Sequence, residues 1–119
     1  MKRDPDLIRK ILLEIEKRPD DSNLIILNIP GYTPGEISYH VGLLKDAGYI
    51  VAVVERGDDQ HQWYPVRMTW DGHEFLEKAR DDNRWGQAKV VMAKLGGFTF
   101  EIASKVLTDL VTAQLRSLM

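Results

Sequence analysis

The stretch that decides the fold runs from Glu36 to Ile50 and reads EISYHVGLLKDAGYI. Apolar residues recur in it at the spacing of one helical face: Ile37, Val41 and Leu44. That spacing predicts a helix over residues 34–47. Gly48 follows, and glycine is the residue that most readily adopts the left-handed backbone that closes a helix. The β-branched run after it predicts a strand over residues 50–54.

Downstream of this stretch the pattern predicts a hairpin and three more helices. A turn over residues 56–59 separates the first strand from a second strand over residues 62–68. Thr69 is a suitable N-terminal cap for the next helix. Its apolar residues are expected to face the core, and they are Trp70, Phe75, Leu76 and Ala79. Two further helices are predicted over residues 84–95, with Leu95 on the apolar stripe, and over residues 99–118.

Upstream, the sequence predicts one helix and one short strand. Asp4 is placed to cap the first helix, and Pro5 fits its first turn. Apolar residues at helical spacing continue to Ile15, and Pro19 ends the pattern. The short apolar run over residues 24–27 is followed by Pro30 and Gly31, which predicts a strand.

These elements predict an α+β, mostly helical fold: a core with a small antiparallel sheet, followed by two additional C-terminal helices. Length and composition are consistent with one domain over residues 1–119, because 44 % of its 119 residues are apolar. Within that domain we expect a core over residues 4–82 and a helical extension over residues 84–118.

Two stretches resemble known regulators. The stretch from Glu36 to Ile50 resembles the recognition helix of MarR-like and PadR-like proteins, in which a helix ends in Leu, two polar residues, Ala-Gly, an apolar residue and Ile. The run Val66–Leu76, VRMTWDGHEFL, resembles the end of a wing followed by a Thr-x-x-Gly helix start. The resemblance implies a winged-helix core. The whole chain also resembles a family of uncharacterised bacterial and prophage-borne domains, which implies a regulatory or mobile-element setting.

The distribution of charge separates two functional hypotheses. Residues 19–83 contain twelve carboxylates and five lysines or arginines, a net charge of −7, whereas both ends of the chain are mildly basic. Phosphate backbones attract positive surfaces, so this middle region suits a polypeptide partner better than duplex DNA. We therefore expect a non-catalytic module that acts by protein–protein contact. The alternative is a dimeric DNA-binding transcriptional regulator that reads duplex DNA with the helix over 34–47 and a wing over 55–62.

The DNA-binding hypothesis uses the outward face of the helix over 34–47 and the wing. The protein-binding hypothesis uses the acidic wing region, Tyr39 and the tryptophans, or the C-terminal helix. The candidate residues for contact with a partner or nucleic acid are Ser38, Tyr39, Lys45, Arg56, Asp58 and Asp59. Exposed tyrosine is a common anchor in protein interfaces. His40 is interpreted as a residue at the edge of the core. A helix-turn-helix also needs a bracing helix before the recognition helix, and residues 19–33 leave no room for one.

The last helix carries more apolar positions than one narrow face needs. A homodimer would cover the surplus, with the candidate interface residues Phe100, Val106, Leu107, Leu110 and Val111.

No pattern in the sequence is typical of an enzyme. Cysteine is absent, which excludes disulfides and cysteine nucleophiles and fits a reducing compartment. His73 has no second histidine at metalloprotease spacing, and the paired glycines at 96–97 are typical of a helix end rather than a phosphate loop. We expect no catalytic residue, cofactor, metal or small-molecule substrate. The start of the chain has no signal-peptide core and no run long enough for a membrane span, so we expect a cytoplasmic protein.

Overall fold

The structure is a computed structural model that describes residues 1–57 and 60–119. Its elements are α1 (Pro5–Glu16), α2 (Pro34–Asp46), β1 (Ile50–Arg56), β2 (His61–Met68), α3 (Trp70–Ala79), α4 (Asp82–Lys94) and α5 (Phe100–Ser117). The fold is α+β and mostly helical, which confirms the predicted class. Two compact units divide the chain, Met1–His73 and Glu74–Met119, and α3 begins in the first and ends in the second.

Helix α1 begins and packs as its sequence predicts. The Asp4 carboxylate accepts hydrogen bonds from the N–H groups of Asp6, at 3.0 Å, and Leu7, at 3.2 Å. Pro5 occupies the first turn, where its missing N–H leaves no bond unmade. The apolar face of the helix is buried over its whole length: Leu7, Ile8, Ile11, Leu12 and Ile15.

Helix α2 is fixed at both ends by local chemistry. Thr33 Oγ1 accepts the Glu36 N–H at 3.1 Å, and the Glu36 carboxylate accepts the Thr33 N–H at 2.9 Å, so each residue satisfies a donor of the other. Beyond the last turn Gly48 has a φ of 81°, the left-handed conformation expected for it. Both features place the helix next to the hairpin that follows.

Strands β1 and β2 pair antiparallel, which confirms the two strands predicted after α2. Arg56, predicted in the turn, is the last residue of β1, and residues 58–59 of the predicted turn lie outside the described residues. Val53 lies opposite Tyr64, and Val51 lies opposite Arg67. The register shifts after Val51, because Ala52 pairs with Pro65 and leaves Val66 as an extra residue in β2. The bulge therefore lies in β2, and β1 is a regular strand.

The predicted strand over residues 24–27 is wrong. No helix or strand lies between Glu16 and Pro34, a segment that the structure describes in full. The segment makes one backbone bond to the sheet, from the Ile25 N–H to the Pro65 carbonyl at 2.8 Å. Pro65 has no N–H to return, and the neighbouring Trp63 N–H donates to a side chain of α2 instead. A ladder of strand hydrogen bonds therefore cannot extend along this edge.

The prediction that Trp70 faces the core is also wrong, because its side chain is 78 % exposed. The buried face of α3 consists of Gly72, Phe75, Leu76 and Ala79. Trp70 precedes Gly72 by two residues, which places it on the opposite side of a helix with 3.6 residues per turn. The apolar character of Trp70 alone did not determine its side of the helix.

In the second unit, α4 and α5 pack against each other. Their buried residues are Trp85, Ala88 and Met92 on α4 and Ala103, Val106 and Leu107 on α5. Arg84 links the two helices, because its Nη2 donates to Gln114 Oε1 at 2.8 Å. Leu95, predicted on the buried stripe, is 59 % exposed, because it is the cap residue at which α4 has already ended.

Candidate interaction groove

A groove lies between the outer face of α2 and the start of β2, and it encloses roughly 700 Å³. Two helix positions that carry no side chain, Gly35 and Gly42, open it along α2. Its lining also includes Met1, Pro34, Ser38, Tyr39, Leu43, Asp46, Gln60, His61, Gln62 and Trp63. All of these residues belong to the first unit. We call this feature the α2–β2 groove.

Trp63 lies across α2 at Gly42. A Cβ added at position 42 would be 3.1 Å from both Cδ1 and Nε1 of the Trp63 indole, closer than side chains normally pack. Glycine is unfavourable in a helix interior, by about 1 kcal/mol relative to alanine, so its presence here fits a close approach of another group. The groove therefore has an indole as one wall, held against the bare backbone of α2.

Ser38 holds this arrangement from below. Its Oγ accepts the backbone N–H of Trp63 at 2.9 Å, and its side chain is only 5 % exposed. The sequence marked Ser38 as a residue that contacts a partner or DNA. Its buried oxygen already forms a hydrogen bond between α2 and β2, and contact of Ser38 with a partner stays a prediction.

Lys45 is exposed, and its ammonium group is 5.4 Å from the centre of the Trp63 ring. An ammonium over an aromatic face is attracted to the negative face of the ring. The lysine thus lies next to the indole that forms the groove wall. The described residues that line the groove include no lysine, arginine or glutamate, and Asp46 is the one aspartate among them.

Tyr39 is the candidate that the structure places best for contact with a partner. Its side chain is 41 % exposed in the groove, and its ring meets the His40 ring edge-on at a centroid distance of 5.7 Å. The phenol ring is therefore in contact with a buried side chain and is also accessible to solvent. An aromatic ring held in this way can bind with little loss of conformational entropy.

His40 supports Tyr39 from inside the fold, which confirms its interpretation as a residue of the core. Its side chain is 1 % exposed. Nε2 accepts the Asp4 N–H at 2.9 Å, so the ring proton lies on Nδ1, which donates to the Glu36 carbonyl at 2.8 Å. The imidazole thereby joins the start of α1 to α2.

Among the wing candidates, the structure describes Arg56 only. Arg56 is exposed at the end of β1 and does not line the groove. Asp58 and Asp59 lie outside the described residues. Sequence reasoning did not predict that Trp63 packs on Gly42, although a glycine within a predicted helix was a usable signal for a close approach.

The predicted dimer residues of α5 have different environments. Leu107 is fully buried and Val106 is 8 % exposed, so neither offers appreciable surface to a second copy. Phe100, Leu110 and Val111 are half-buried. Well-exposed apolar side chains are instead found at Val90 on α4, at Leu115 on α5, and at the two C-terminal cap residues Leu95 and Leu118. The α5 dimer stays a prediction.

Neither a metal cluster nor a membrane span is found where the structure describes the chain. Over residues 1–57 and 60–119, no group of three or more histidines, aspartates and glutamates is placed to hold a metal ion. In the same ranges, none of the helices pairs the length and the hydrophobicity that a membrane crossing requires.

Comparison with known proteins places the chain in a family. A family described as "Hypothetical protein (DUF2513)" matches residues 2–99. A Haemophilus influenzae relative described as "Uncharacterized protein" is 36 % identical over 93 residues, which cover 77 % of this chain and 79 % of the relative. No solved structure matches. The chain therefore belongs to the DUF2513 family.

Proposed function

We propose that this protein is a non-catalytic, winged-helix-like binding module whose α2–β2 groove receives a segment of a partner polypeptide. In this proposal α2 and the β1–β2 hairpin correspond to the recognition helix and wing of MarR-like and PadR-like regulators. The module acts in the cytoplasm as an accessory or regulatory factor of a prophage or mobile element, as its sequence resemblance implies.

The observation that carries the proposal is the position of Trp63. The indole covers α2 at Gly42, where a DNA-reading helix needs a free face. Lys45 is drawn to the same ring, and the Ser38 hydroxyl is buried beneath it. The rest of the lining consists of aromatic, aliphatic, amide and glycine residues with one histidine and one carboxylate, which is a surface suited to peptide groups and apolar side chains.

The segment between the first two helices supports the same conclusion. A DNA-binding helix-turn-helix uses the helix before the recognition helix to brace it against the phosphate backbone. Here an irregular segment occupies residues 17–33, and the helix that packs on α2 is α1. The position where the brace would contact phosphate is therefore taken by loop backbone.

The non-catalytic part of the proposal rests on the use of the polar groups. Ser38 has the aliphatic hydroxyl of the groove, and its buried oxygen accepts a backbone bond rather than facing a substrate. His40 uses both ring nitrogens to join α1 and α2. Neither group is free to act as nucleophile or base.

The second candidate is the dimeric DNA-binding regulator, and two exposed cations favour it. Lys45 on α2 and Arg56 at the end of β1 both reach solvent. A DNA duplex bound across the groove would contact these two side chains through its phosphates rather than through its base edges.

A photoreactive benzophenone residue at Tyr39 tests the two against each other in cells of the natural host. We expect a cross-linked adduct of higher mass that withstands nuclease and yields a foreign peptide by mass spectrometry. The matched control is the same residue at Gln87, an exposed position on α4, which should give no such adduct. An adduct that nuclease removes would contradict the polypeptide proposal and support the regulator.

A further inference from the structure

The two outer edges of the hairpin differ in what satisfies their backbone. Opposite residues in an antiparallel pair alternate between bonding to each other and pointing their N–H and C=O groups outward. The bond from the Gly57 N–H to the Gln60 carbonyl, at 2.8 Å, sets that alternation. With this alternation, the backbone polar groups of Trp63 and Pro65 point away from the hairpin at the outer edge of β2. Those of Ala52 and Val54 point away from it at the outer edge of β1.

The outer edge of β2 is closed. The Trp63 N–H donates to Ser38 Oγ, the Pro65 carbonyl accepts from the Ile25 N–H, and Pro65 has no N–H to leave unpaired. The Trp63 N–H and the Pro65 carbonyl are therefore occupied by groups of the same unit.

The outer edge of β1 is open. In the described ranges, no residue makes a backbone hydrogen bond to the outward groups of Ala52, Val54 or Arg56, and β1 has β2 as its sole strand neighbour. The strand has seven residues, and its first five, IVAVV, carry no charge and no proline. Natural proteins usually protect such an edge with charges, proline or a bulge, and here the bulge lies in β2.

We propose that β1 pairs antiparallel with β1 of a second copy, with Ala52 opposite Ala52 of the second copy. In that register Ile50 lies opposite Val54, and Val51 lies opposite Val53, in both directions. Each of the five apolar residues therefore lies opposite an apolar residue of the second copy, so the edge is complementary to itself. Glu55 and Arg56 fall outside the paired segment, so no like charges face each other.

The exposed face of the strand supports this pairing. Val51 is 37 % exposed and Val53 is 43 % exposed, and both lie on the face away from the core. Pairing about Ala52 would bring these valines together with their counterparts in one apolar row across the interface. The segment is short compared with a standard interface, so the dimer dissociates on dilution.

Analytical ultracentrifugation of the full chain over a concentration series tests the proposal. We expect a rise towards twice the monomer mass in the wild type and its loss in Ala52→Pro. That substitution removes an outward N–H without removing a β1–β2 bond, and it copies the arrangement that Pro65 provides directly opposite. Circular dichroism identifies any misfolded variant.

A pair of charge variants keeps the test independent of proline. Val51→Lys with Val53→Lys, and Val51→Glu with Val53→Glu, change exposed positions, so each chain should fold and stay monomeric through like-charge repulsion. An equimolar mixture of the two should form a heterodimer of twice the monomer mass.

Three results would overturn the proposal. One is a wild type that stays monomeric at its highest soluble concentration, which would assign the β1 edge to a strand of a different protein. Another is a dimer that survives Ala52→Pro and both charge variants, as an α5 interface would. The third is a mixture of the charge variants that stays monomeric. The α2–β2 groove lies beside the opposite strand edge, so the cross-linking result at Tyr39 is separate from all three.

Discussion

Two close approaches in the first unit involve a glycine, and they differ in what the glycine meets. Gly72, at the start of α3, lies against the backbone carbonyl of Tyr49, where the chain enters β1. Gly42, in the middle of α2, lies against the Trp63 side chain. The Tyr49 carbonyl belongs to the main chain and accepts the Thr69 N–H at 3.0 Å, so it has little freedom to move aside, whereas an indole can rotate about its side-chain bonds. The contact at Gly72 therefore leaves no room for a larger residue, whereas the indole at Gly42 can change its position and with it the shape of the groove.

The largest expected effect is that of Gly72→Ala. The added Cβ would fall well inside contact distance of the Tyr49 oxygen and 3.3 Å from Met68 Cβ, so α3 must shift away from the hairpin. We expect a loss of about 3 kcal/mol in the free energy of unfolding, at the upper end of the usual cost of overpacking. Urea denaturation followed by circular dichroism measures it.

Gly86→Ala on α4 is the matched control, because a Cβ there meets no atom within 4 Å. In that helix interior the change should stabilise the protein by about 0.5–1 kcal/mol. A Gly72→Ala chain as stable as the wild type would show that the Tyr49 carbonyl yields, and the contrast between the two glycines would fail.

The next effect is that of His40→Leu, which removes the polar link beneath Tyr39. The Asp4 N–H and the Glu36 carbonyl lose their shared partner inside the fold. Leaving a buried donor unpaired costs roughly 2 kcal/mol in the free energy of unfolding. Thermal denaturation checks the loss, and an unchanged melting temperature would mean that the imidazole contributes only packing.

Gly42→Ala should cost less than about 1 kcal/mol, because the gain in helix propensity offsets part of the strain. The Trp63 indole has to rotate away from α2, which changes the shape of the groove while the fold persists. The benzophenone adduct at Tyr39 should then weaken at nearly unchanged stability. An adduct of undiminished yield would show that the partner does not contact the indole wall.

The smallest effect is expected for Lys45→Glu and Arg56→Glu. Both side chains are exposed, so each change should alter the free energy of unfolding by less than about 0.5 kcal/mol. If the partner is a polypeptide, neither the wild type nor the two variants should bind mixed-sequence duplex DNA at low salt in a filter-binding assay. Tight binding that falls steeply with added salt and disappears in both variants would instead establish the regulator.

Local signals predicted most of the architecture. Asp4 and Thr69 cap their helices as expected, and Gly48 closes α2, because these roles depend on a few neighbouring atoms. The strand at residues 24–27 failed for a non-local reason. Its pairing partner in β2 presents a proline and a donor already used by Ser38, which no short-range pattern reveals.

The site was less predictable than the fold. Tyr39 was identified from its helical position, and that position does reach the groove. Ser38 has an equally polar side chain and yet is buried, because the neighbouring strand claims its hydroxyl. Trp70 and Trp63 are alike in sequence terms, and only the packing of α3 and α2 determines that one stands in solvent and the other forms a wall.

The three tryptophans provide a built-in optical readout of the groove. Trp85 is 3 % exposed and should emit at short wavelength, whereas Trp70, at 78 % exposure, should emit at long wavelength and be quenched by iodide. Trp70→Phe would remove the emission of the solvent-exposed indole. The emission that changes when the α2–β2 groove is occupied would then be that of the indole beside Gly42. Candidate peptides could then be screened by the blue shift that follows when water leaves that ring.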